Sequence, residues 1–475
     1  MKYYPIIGLE VHLELNTESK VFCGCSTQFG SAPNSQVCPV CLGLPGSLPV
    51  LNKTALTYAL KVALALNCEI ADFTKFDRKN YFYPDLPKSY QISQYDKPLS
   101  KAGWLDIETN GALKRIGITR VHQEEDTGKL LHKEGVATSL VDFNRSGIPL
   151  LEIVSEPDMN SAEEAYEYLT RLKAILEYLD VSDCDMEKGS LRCDANISIS
   201  TDPKKLGTKA EIKNMNSFKA VRSALEHEIT RQTGMLSEGS RIIQETRLWD
   251  DNKGITLPMR SKEGAHDYRY FPEPDLVPFI FSSEDIKKVA DSLPELPTAR
   301  RKRIIEQYSL SEYDASVLTQ DKDMADYFEE AVKLYNKPKS VANWLLSDIA
   351  AATSSTVGIK QLNLSVGRLV EMLKMIDSGV ISGKIAKDVL AGMIDTGKPA
   401  AAIVKEKGLE QISDDKVIEN AADNVLRENP KAVEDYRSGK ATALTFLVGQ
   451  LMRHTKGKAN PAIANKILIK KLGAS

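Results

Sequence analysis

Residues 6–15 read IIGLEVHLEL, and this stretch decides how the fold is interpreted. From position 9 to position 15 apolar side chains alternate with charged or polar ones, which is the pattern of a strand with one buried face. Successive side chains of a strand point to opposite faces, so Glu10 and His12 emerge together on the polar face. The first strand therefore presents a carboxylate and an imidazole side by side, with Glu14 next in line.

Further strands and two helices are predicted outward from this stretch. Residues 192–200, RCDANISIS, alternate in the same way, and residues 148–154, IPLLEIV, form an apolar run typical of a buried strand. Helical spacing appears at residues 52–67 and at residues 161–179, where the second segment opens with a Ser-x-x-Glu capping box. Strands with a few segregated helices favour an α+β layer fold over a regular βαβ alternation.

The chain changes character near Pro297. Of its 21 prolines, 17 lie at or before that residue, and the runs beyond it have helical spacing. Gly397, Pro399 and a short charged stretch interrupt the helical part. We therefore predict a sheet domain at residues 1–293, a helical domain at 294–398 and a helical tail domain at 399–475.

Composition and charge exclude several protein classes. The 475 residues carry 62 Lys or Arg and 65 Asp or Glu, and this net charge of −3 gives no sign of a nucleic-acid partner. Acids inside the first apolar stretch argue against a secretory signal. The charge-free run at residues 21–52 contains four Pro and four Gly, which excludes a membrane helix. We expect a cytoplasmic protein without a membrane partner.

Four cysteines form two closely spaced pairs, Cys23 with Cys25 and Cys38 with Cys41. Four thiolates at this spacing can close tetrahedrally around Zn²⁺, and the intervening Gly and Pro residues allow the sharp turns that such convergence needs. The alternative is four reduced core cysteines. A site closed by four thiolates would be structural and would organise an otherwise irregular segment.

Carboxylates cluster in several of the strand-like runs. Residues 122–126, HQEED, contain three consecutive acids, for which a solvated acidic turn is the alternative. Glu152 lies inside an apolar run, and a buried carboxylate needs a cation or several hydrogen bonds. Such an inventory suits Mg²⁺ holding the phosphates of a nucleotide. Because the sequence has no phosphate-binding loop of the Gly-x-x-x-x-Gly-Lys-Ser/Thr type, any ATP must be held through metals and side chains on a sheet.

The last forty residues are basic. From Tyr436 to Ser475 there is no Asp or Glu, which makes this tail a candidate surface for the phosphate backbone of a nucleic acid. A solvated basic helix face is the alternative. The candidate tail cations beyond Arg437 are Lys440, Arg453, Lys456, Lys458, Lys466, Lys470 and Lys471.

Eight blocks together resemble one family, the B subunits of the tRNA-dependent aspartyl/glutamyl amidotransferases. The blocks are IIGLEVHLEL (6–15), CGC (23–25), CPVCLGLPGSLPVLN (38–52), KNYFYPDLPKSYQISQYD (79–96), HQEEDTGK (122–129), LVDFNRSGIPLLEIVSEPDM (140–159), SLRCDANIS (190–198) and AEIKNMNSF (210–218). The resemblance implies a cradle-shaped domain related to the glutamine synthetase and guanidino kinase fold, followed by helical and tail domains.

The resemblance also implies a reaction. ATP would phosphorylate the side-chain carboxylate of misacylated Glu-tRNA(Gln), Asp-tRNA(Asn) or both, and ammonia would displace phosphate to give Gln-tRNA or Asn-tRNA. The implied partners in a heterotrimer are a glutaminase subunit, which supplies ammonia through a tunnel, and a small third subunit. The implied enzyme class is a carbon–nitrogen ligase with glutamine as amido donor.

The resemblance assigns roles residue by residue. It implies Mg²⁺-holding and catalytic residues, namely Glu10, His12, Glu124, Glu125 and Glu152, with Asp194 and Glu211 as lesser candidates. Arg192 and Lys213 could contact the phosphates of ATP, although an ion pair with neighbouring acids is an equal alternative. The implied ammonia-route residues are Lys79, Tyr81, Asp85 and Lys88, for which a packed loop is the alternative. The basic tail would bind tRNA.

Two other functions remain open from sequence. A non-enzymatic tRNA scaffold would keep the basic tail but would not need a buried Glu152 or the face shared by Glu10 and His12. A free-standing ATP-dependent amide ligase for a small amino acid would have little use for an acid-free tail.

Overall fold

The computed structural model describes residues 2–132, 135, 138–259, 268–353, 358–409, 415–455 and 458–473. The chain divides into two compact units, Met1–Arg300 and Arg301–Ser475. None of the described helices is both long and apolar enough to cross a membrane.

The first unit contains all of the strands found in the described ranges. In chain order they are β1 (Tyr4–Glu14), β2 (Glu69–Ile70), β3 (Phe73–Thr74), β4 (Asp77–Asn80), β5 (Tyr90–Ser93), β6 (Ser100–Thr109), β7 (Ala112–Glu125), β8 (Lys129–His132), β9 (Ser139–Asp142), β10 (Pro149–Ser155), β11 (Leu191–Ser200), β12 (Ala210–Lys213), β13 (Glu245–Asp250), β14 (Ile255–Pro258), β15 (Phe271–Pro272) and β16 (Phe279–Ile280).

Twelve strands form one large sheet in the order β14-β13-β12-β11-β1-β10-β7-β5-β4-β15, with β6 and β2 continuing from β7 on a side branch. Every pair in this sheet is antiparallel except β12 with β13, which is parallel. Strand β1 is central, because it pairs with both β10 and β11. The charged strand quoted from the sequence therefore lies in the middle of the sheet.

The helices of this unit pack on one face of the sheet. They are α1 (Lys53–Ala65), α2 (Ala162–Tyr178), α3 (Phe218–Ser237) and α4 (Ser283–Asp291). Leu9, Val11 and Leu13 of β1 are buried in a core that also contains α1, α2 and α3. Since side chains alternate along a strand, Glu10 and His12 point to the opposite face, where they line a cavity.

Local capping fixes the start of α2. The Ser161 hydroxyl accepts a hydrogen bond from the Glu164 backbone N–H at 3.1 Å, as the capping box predicts. The Glu164 carboxylate differs from the predicted reciprocal arrangement, because it accepts from the Asn160 backbone N–H and from Lys114. Because Lys114 belongs to β7, the first turn of α2 is held by this strand as well as by its own cap.

The second unit is helical throughout its described residues. Its α-helices begin with α5, which starts within the first unit, and are α5 (Pro297–Tyr308), α6 (Glu312–Gln320), α7 (Lys322–Leu334), α8 (Pro338–Trp344), α9 (Val366–Asp377), α10 (Gly383–Thr396), α11 (Ala400–Glu406), α12 (Asp415–Glu428), α13 (Pro430–Arg437), α14 (Thr442–His454) and α15 (Pro461–Gly473). A π-helical turn, Leu345–Ile349, and a 3₁₀ turn, Ala350–Ala352, follow α8. The helical segment therefore changes its hydrogen-bonding pattern twice after Trp344.

Two separate hydrophobic cores stabilise this unit. The first extends from Ile304 to Val404 and the second from Ile418 to Leu472. Gly397 ends α10 in the left-handed conformation with φ of 66°, which a glycine adopts without strain. Helix α11 then packs into the first core, and the second core begins at Ile418. The predicted domain boundaries at residues 293 and 398 stay predictions.

The predicted α+β class with a mainly antiparallel sheet and a helical C-terminal region is confirmed. The predicted strands at 6–15, 148–154 and 192–200 correspond to β1, β10 and β11. The predicted helices at 52–67 and 161–179 correspond to α1 and α2. The closer relation to the glutamine synthetase and guanidino kinase fold stays a prediction.

Candidate active site on the open face of the sheet

Strand register brings the candidate residues of four strands into one row. His12 of β1 lies opposite Glu152 of β10 and Arg192 of β11, and Glu152 lies opposite His122 of β7. Directly paired residues of an antiparallel sheet point to the same face. The row therefore gathers side chains on the face away from the helices, although the partners of β1 lie more than a hundred residues further along the sequence.

The centre of the site consists of His122, Glu124 and Glu152. The His122 Nε2 atom lies 2.7 Å from Glu124 Oε1 and 3.3 Å from Glu152 Oε2. One ligand atom from each residue falls within 4.8 Å of the others, which is close enough for a shared metal ion. Two carboxylates and an imidazole are a donor set that suits a divalent cation.

Burial and hydrogen bonding shift the pKa values of His122 and Glu124. The side chains of His122 and Glu124 are each only 3% exposed. Burial lowers the pKa of His122, but hydrogen bonds to Glu124 and Glu152 outweigh it and raise the pKa to about 9. Burial likewise opposes ionisation of Glu124, yet the bond to His122 holds its pKa well below the usual range. The His122 Nε2 atom therefore bridges the carboxylates of Glu124 and Glu152.

The other hydrogen bonds of the Glu124 carboxylate come from strand β5. Gln91 Nε2 donates to Glu124 Oε2 at 2.7 Å, and Ser93 Oγ donates to Oε1 at 3.1 Å. The His122 Nδ1 atom is buried and has no hydrogen-bond partner among the described residues. The Glu124 carboxylate is thus held in one orientation by His122, Gln91 and Ser93, as a metal ligand requires.

A cavity of about 300 Å³ surrounds this centre, and β1, β11 and β12 form one side of it. His12 Nε2 lies 3.7 Å from Glu152 Oε2. Lys213 pairs with Asp194 and lies 3.0 Å from Glu211. These candidate residues and Glu10 all line the cavity, so the structure brings them together, and their roles stay predictions.

Lysine and tyrosine side chains form the other side of the cavity. Tyr95 and Tyr270 stack with ring centroids 3.8 Å apart and an interplanar angle of 8°. Lys79 Nζ lies 4.9 Å from the ring centroid of Tyr268. The cavity therefore has an aromatic wall facing its acidic centre, with Lys79 between them.

Sequence reasoning missed several lining residues. His122, Arg120 and the aromatic wall were not singled out, although His122 stands two positions before Glu124. Reading 122–125 as a strand would have placed both side chains on one face. The alternative of a solvated acidic turn is wrong, because these residues end β7 and are buried.

Glu125 does not join this site. It follows Glu124 in β7 and so points to the opposite face, where its carboxylate lies 2.5 Å from Lys88 Nζ and accepts from the Ile92 backbone N–H at 2.9 Å. The expectation that Glu124 and Glu125 hold one metal together is corrected here. Glu125 instead lines a second cavity, of about 210 Å³, together with Lys20 and Arg78.

Arg192, for which a phosphate contact and an ion pair were equal alternatives, is not among the residues lining the acidic cavity. Its Nη2 atom donates to Asp126 Oδ2 at 2.7 Å, and Arg145 Nε lies 3.6 Å from the same oxygen. Burial, together with the charge of Asp126, raises the pKa of the adjacent Glu14 to about 8. Of the two alternatives the sequence left open, the ion pair is the one observed for Arg192.

The four predicted zinc cysteines converge beside the second cavity. Cys23, Cys25, Cys38 and Cys41 place their sulfur atoms within 4.8 Å of one another. The Cys38 backbone N–H donates to the Cys41 sulfur at 3.1 Å, which is a common way of orienting a thiolate. A hydrogen bond with Cys23 lowers the pKa of Cys41 to about 4. Four sulfur donors at these distances fit a tetrahedral Zn²⁺ site.

Two of the predicted ammonia-route residues line a cavity, and the other two, Tyr81 and Asp85, are in neither lining. Lys79 lines the acidic cavity and Lys88 lines the second one. Burial raises the pKa of Tyr81, with a smaller contribution from the charge of Asp85. Asp85 in turn accepts a hydrogen bond from the Thr127 hydroxyl at 3.2 Å.

In the second unit, the basic tail splits into paired and unpaired cations. Lys440 and Lys471 each lie 2.7 Å from an aspartate oxygen, and Lys470 lies 4.0 Å from Glu419. No ion pair involving the other tail cations is found among the described residues; these are Arg453, Lys458 and Lys466. Lys456, also predicted to contact tRNA, lies outside the described residues.

Fold and site together define a class: an α+β protein whose central antiparallel sheet carries a buried cluster of carboxylates and histidine suited to a divalent cation. A family model described as the GatB/GatE catalytic domain matches residues 5–287, and one described as the GatB domain matches residues 326–472. This chain belongs to the GatB/GatE family. The resemblance stated from the sequence blocks is thereby confirmed.

Full-length relatives agree with this assignment. Proteins named as the B subunit of aspartyl/glutamyl-tRNA(Asn/Gln) amidotransferase are similar over nearly their whole length. That of Carboxydothermus hydrogenoformans is 58% identical over 99% of both chains. That of Caldanaerobacter subterraneus is 58% identical over 99% of this chain and all of its own, and that of Brevibacillus brevis is 55% identical over 98% of both.

Proposed function

We propose that this chain is the kinase and transamidase component of a tRNA-dependent amidotransferase. The observation that carries the proposal is the buried cluster of His122, Glu124 and Glu152 inside a cavity rimmed by Lys79 and Lys213. Full-length relatives of the chain are named as the B subunit of aspartyl/glutamyl-tRNA(Asn/Gln) amidotransferase. The substrate would be Glu-tRNA(Gln), Asp-tRNA(Asn) or both.

The reaction would proceed in two steps. An oxygen of the substrate side-chain carboxylate attacks the γ-phosphorus of ATP, the bond to the β-phosphate oxygen breaks, and an acyl phosphate and ADP result. The ammonia nitrogen then attacks the acyl carbon, phosphate leaves with the bonding electrons, and a proton is released. The products are an amide on the tRNA, ADP and inorganic phosphate.

The acids of the cavity would hold Mg²⁺. Glu124 and Glu152 are the first candidates, with Glu10, His12, Asp194 and Glu211 around them. Bound Mg²⁺ would neutralise charge on the phosphates where they approach the carboxylate. Lys79, Lys213 and Arg120 would add cationic contacts to the phosphates from the rim, because ammonium and guanidinium groups bind phosphate oxygens.

The ammonia route would lead from the second cavity to the acidic one. Lys88 and Glu125 form a buried ion pair in the lining of the second cavity, and Lys79 lines the acidic one. We assign Glu125 to this route, together with Asp85 and Tyr81, since its carboxylate points away from the metal cluster. Ammonia would come from a separate glutaminase subunit, and a small third subunit would complete the heterotrimer.

The four cysteines would hold a structural Zn²⁺. Their four sulfur atoms leave no position open for a substrate, so the metal would stabilise the segment and not take part in the reaction. Support comes from the location of the segment, which forms part of the wall of the second cavity.

The first test is turnover of Glu-tRNA(Gln) by this chain purified with its glutaminase and small-subunit partners, with ATP, Mg²⁺ and ammonium chloride. We expect formation of Gln-tRNA with equal release of ADP. Glu152→Gln should reduce both by about a hundredfold or more, because the cluster loses one of its two carboxylates. Glu187→Gln is a suitable control, since Glu187 is exposed and is not among the residues lining either cavity. Equal rates for wild type and Glu152→Gln would contradict the site assignment.

A further inference from the structure

Strand β13 lies beside β12 and forms with it the parallel pair of the large sheet. The register of the two strands places Thr246 opposite Glu211 and Arg247 opposite Ile212. Successive side chains of a strand point to opposite faces, so Thr246 and Arg247 reach different surroundings. Thr246 contacts a residue of the acidic cavity, whereas Arg247 contacts helix α3.

Thr246 contacts the lining of the acidic cavity without belonging to it. Its hydroxyl Oγ1 donates to Glu211 Oε2 at 2.8 Å. The other oxygen of that carboxylate, Oε1, lies 3.0 Å from Lys213 Nζ, and Lys213 also pairs with Asp194. Glu211, Lys213 and Asp194 all line the cavity, and Thr246 is not among the lining residues. The threonine hydroxyl can therefore influence the cavity through Glu211.

The hydroxyl restricts the rotation of the Glu211 carboxylate. The last torsion of a glutamate side chain has a broad energy minimum, so a carboxylate that holds a lysine through one oxygen can turn and take the lysine with it. A hydrogen bond to an ionised acceptor is roughly twice as strong as one between neutral groups, and the bond from Thr246 opposes this rotation. The Lys213 ammonium group is thereby held in one place in the cavity wall.

Strand β13 is itself anchored from the opposite face of the sheet. The Arg247 Nε atom lies 3.0 Å from Glu228 Oε1 of α3 and donates to the Thr256 hydroxyl of β14 at 2.9 Å. Glu228 is fully buried, and each of its carboxylate oxygens accepts from Arg231 at 2.8 Å. Breaking a buried ion pair leaves an uncompensated charge, which is strongly unfavourable. The position of Thr246 is therefore fixed by contacts that do not involve the cavity.

We propose that Thr246 is a positioning residue of the acidic cavity, which holds Glu211 so that Lys213 faces the phosphates of ATP. Thr246 would touch neither ATP nor the metal, and it would act through the Glu211 carboxylate. The required group is the hydroxyl, because valine has nearly the same shape as threonine but has no donor. This inference rests on the proposed use of ATP.

The test removes the donor and keeps the shape of the side chain. In the purified three-subunit complex, Thr246→Val should raise the dissociation constant for MgATP about tenfold, because the Glu211 carboxylate loses a charge-assisted hydrogen bond. Thr246→Ser keeps the hydroxyl and should restore most of the affinity. In turnover with ammonium, KM for ATP should rise in Thr246→Val while KM for Glu-tRNA stays constant.

Thr119 of β7 offers a matched control. Its hydroxyl donates to Glu156 Oε1, also at 2.8 Å, and neither residue is among those lining the two cavities. Thr119→Val therefore removes the same kind of hydrogen bond from the same sheet. We expect this variant to bind MgATP with the affinity of the wild type.

A double-mutant cycle shows whether Thr246 acts through Glu211. Thr246→Val should have little further effect on MgATP affinity in a Glu211→Ala complex, because the acceptor of the hydrogen bond is already absent. Additive effects of the two substitutions, equal losses in Thr246→Val and Thr246→Ser, or unchanged MgATP affinity in Thr246→Val would overturn the inference. A wild-type complex without ATP-dependent turnover would instead refute the proposed function.

Discussion

At the scale of single residues, Glu124 and Glu125 are neighbours in the chain and yet belong to different cavities. Glu124 contacts His122, whereas Glu125 contacts Lys88 on the other face of β7. Both carboxylates are nearly inaccessible to solvent. The two residues therefore differ in the face of β7 to which the side chain points and not in solvent exposure. Their substitution should therefore have different consequences.

We predict that Glu124→Gln abolishes ATP-dependent turnover while leaving the complex folded. The metal cluster would lose one of its carboxylates, and the expected decrease is about a hundredfold or more in the rate with ammonium. Magnesium dependence of ATP binding, measured by titration calorimetry, should weaken in the same variant. Retention of both properties would exclude Glu124 as a metal ligand.

We predict that Glu125→Gln mainly lowers stability and leaves MgATP affinity nearly unchanged. It leaves Lys88 without its carboxylate partner in a buried place, which costs about 3 kcal/mol of unfolding free energy. MgATP affinity should remain within a factor of about three, because the metal cluster lies on the other face. Denaturant unfolding and ATP titration measure the two effects, and a loss of MgATP affinity equal to that of Glu124→Gln would show that both acids serve one site.

At the scale of structural elements, helix α2 depends on the Ser161 cap for its first turn. Ser161→Ala should reduce the unfolding free energy by about 1 kcal/mol, because the Glu164 N–H loses its acceptor. Ser217, which caps α3 in the same way at Ala220, is a matched site where the same substitution should cost a similar amount. Urea unfolding of the full chain checks both, and an effect below a few tenths of a kcal/mol at both sites would contradict the assigned role of the caps.

The segment around the four cysteines should depend on zinc for its order. Elemental analysis of the purified complex is expected to give about one Zn²⁺ per chain, and Cys41→Ala should lower that value strongly. Limited proteolysis should then cut within residues 23–50, because most side chains of this segment are exposed or only half-buried. Cys68→Ala provides the control, since Cys68 is buried away from the cluster. Full zinc content in Cys41→Ala would leave the four residues as core thiols.

At the scale of the whole molecule, the tail should bind tRNA through cations that form no ion pair within the described part of the chain. Replacing Arg453, Lys458 and Lys466 together by Ala should weaken the binding of tRNA whatever its sequence. The slope of log K against log salt concentration should become shallower by about two to three, because each lost phosphate contact lowers it by roughly 0.7–0.9. Fluorescence anisotropy at several salt concentrations measures this slope.

The matched control for the tail is the set of paired lysines. Lys440, Lys470 and Lys471 already have acidic neighbours, so their replacement by Ala should change the slope less. Removing everything after Tyr436 is a poorer experiment, because α14 and α15 supply much of the second core of that unit. A slope that is identical in wild type and both triple variants would refute tRNA binding by these cations.

The sequence by itself determined the local structure, the α+β class and the family. Alternation around Glu10 and His12 predicted β1, the capping pattern predicted α2, and the cysteine spacing predicted which four sulfur atoms converge. Each of these depends on residues close together in the chain, where geometry follows from periodicity and turn chemistry. The acids around Glu152 could also be named as candidate site residues from the sequence, because a carboxylate in an apolar run needs a partner.

Only the tertiary structure decided which side chains meet. The pairing of β1 with β10 and β11, and of β10 with β7, sets His12, Glu152 and His122 in one row, and no local pattern specifies that register. The contact of Glu125 with Lys88, the ion pair of Arg192 with Asp126 and the stacking of Tyr95 on Tyr270 likewise join residues that are far apart in the sequence. Strand register is fixed by burial of one whole face at once, so it is a property of the folded sheet and not of any single strand.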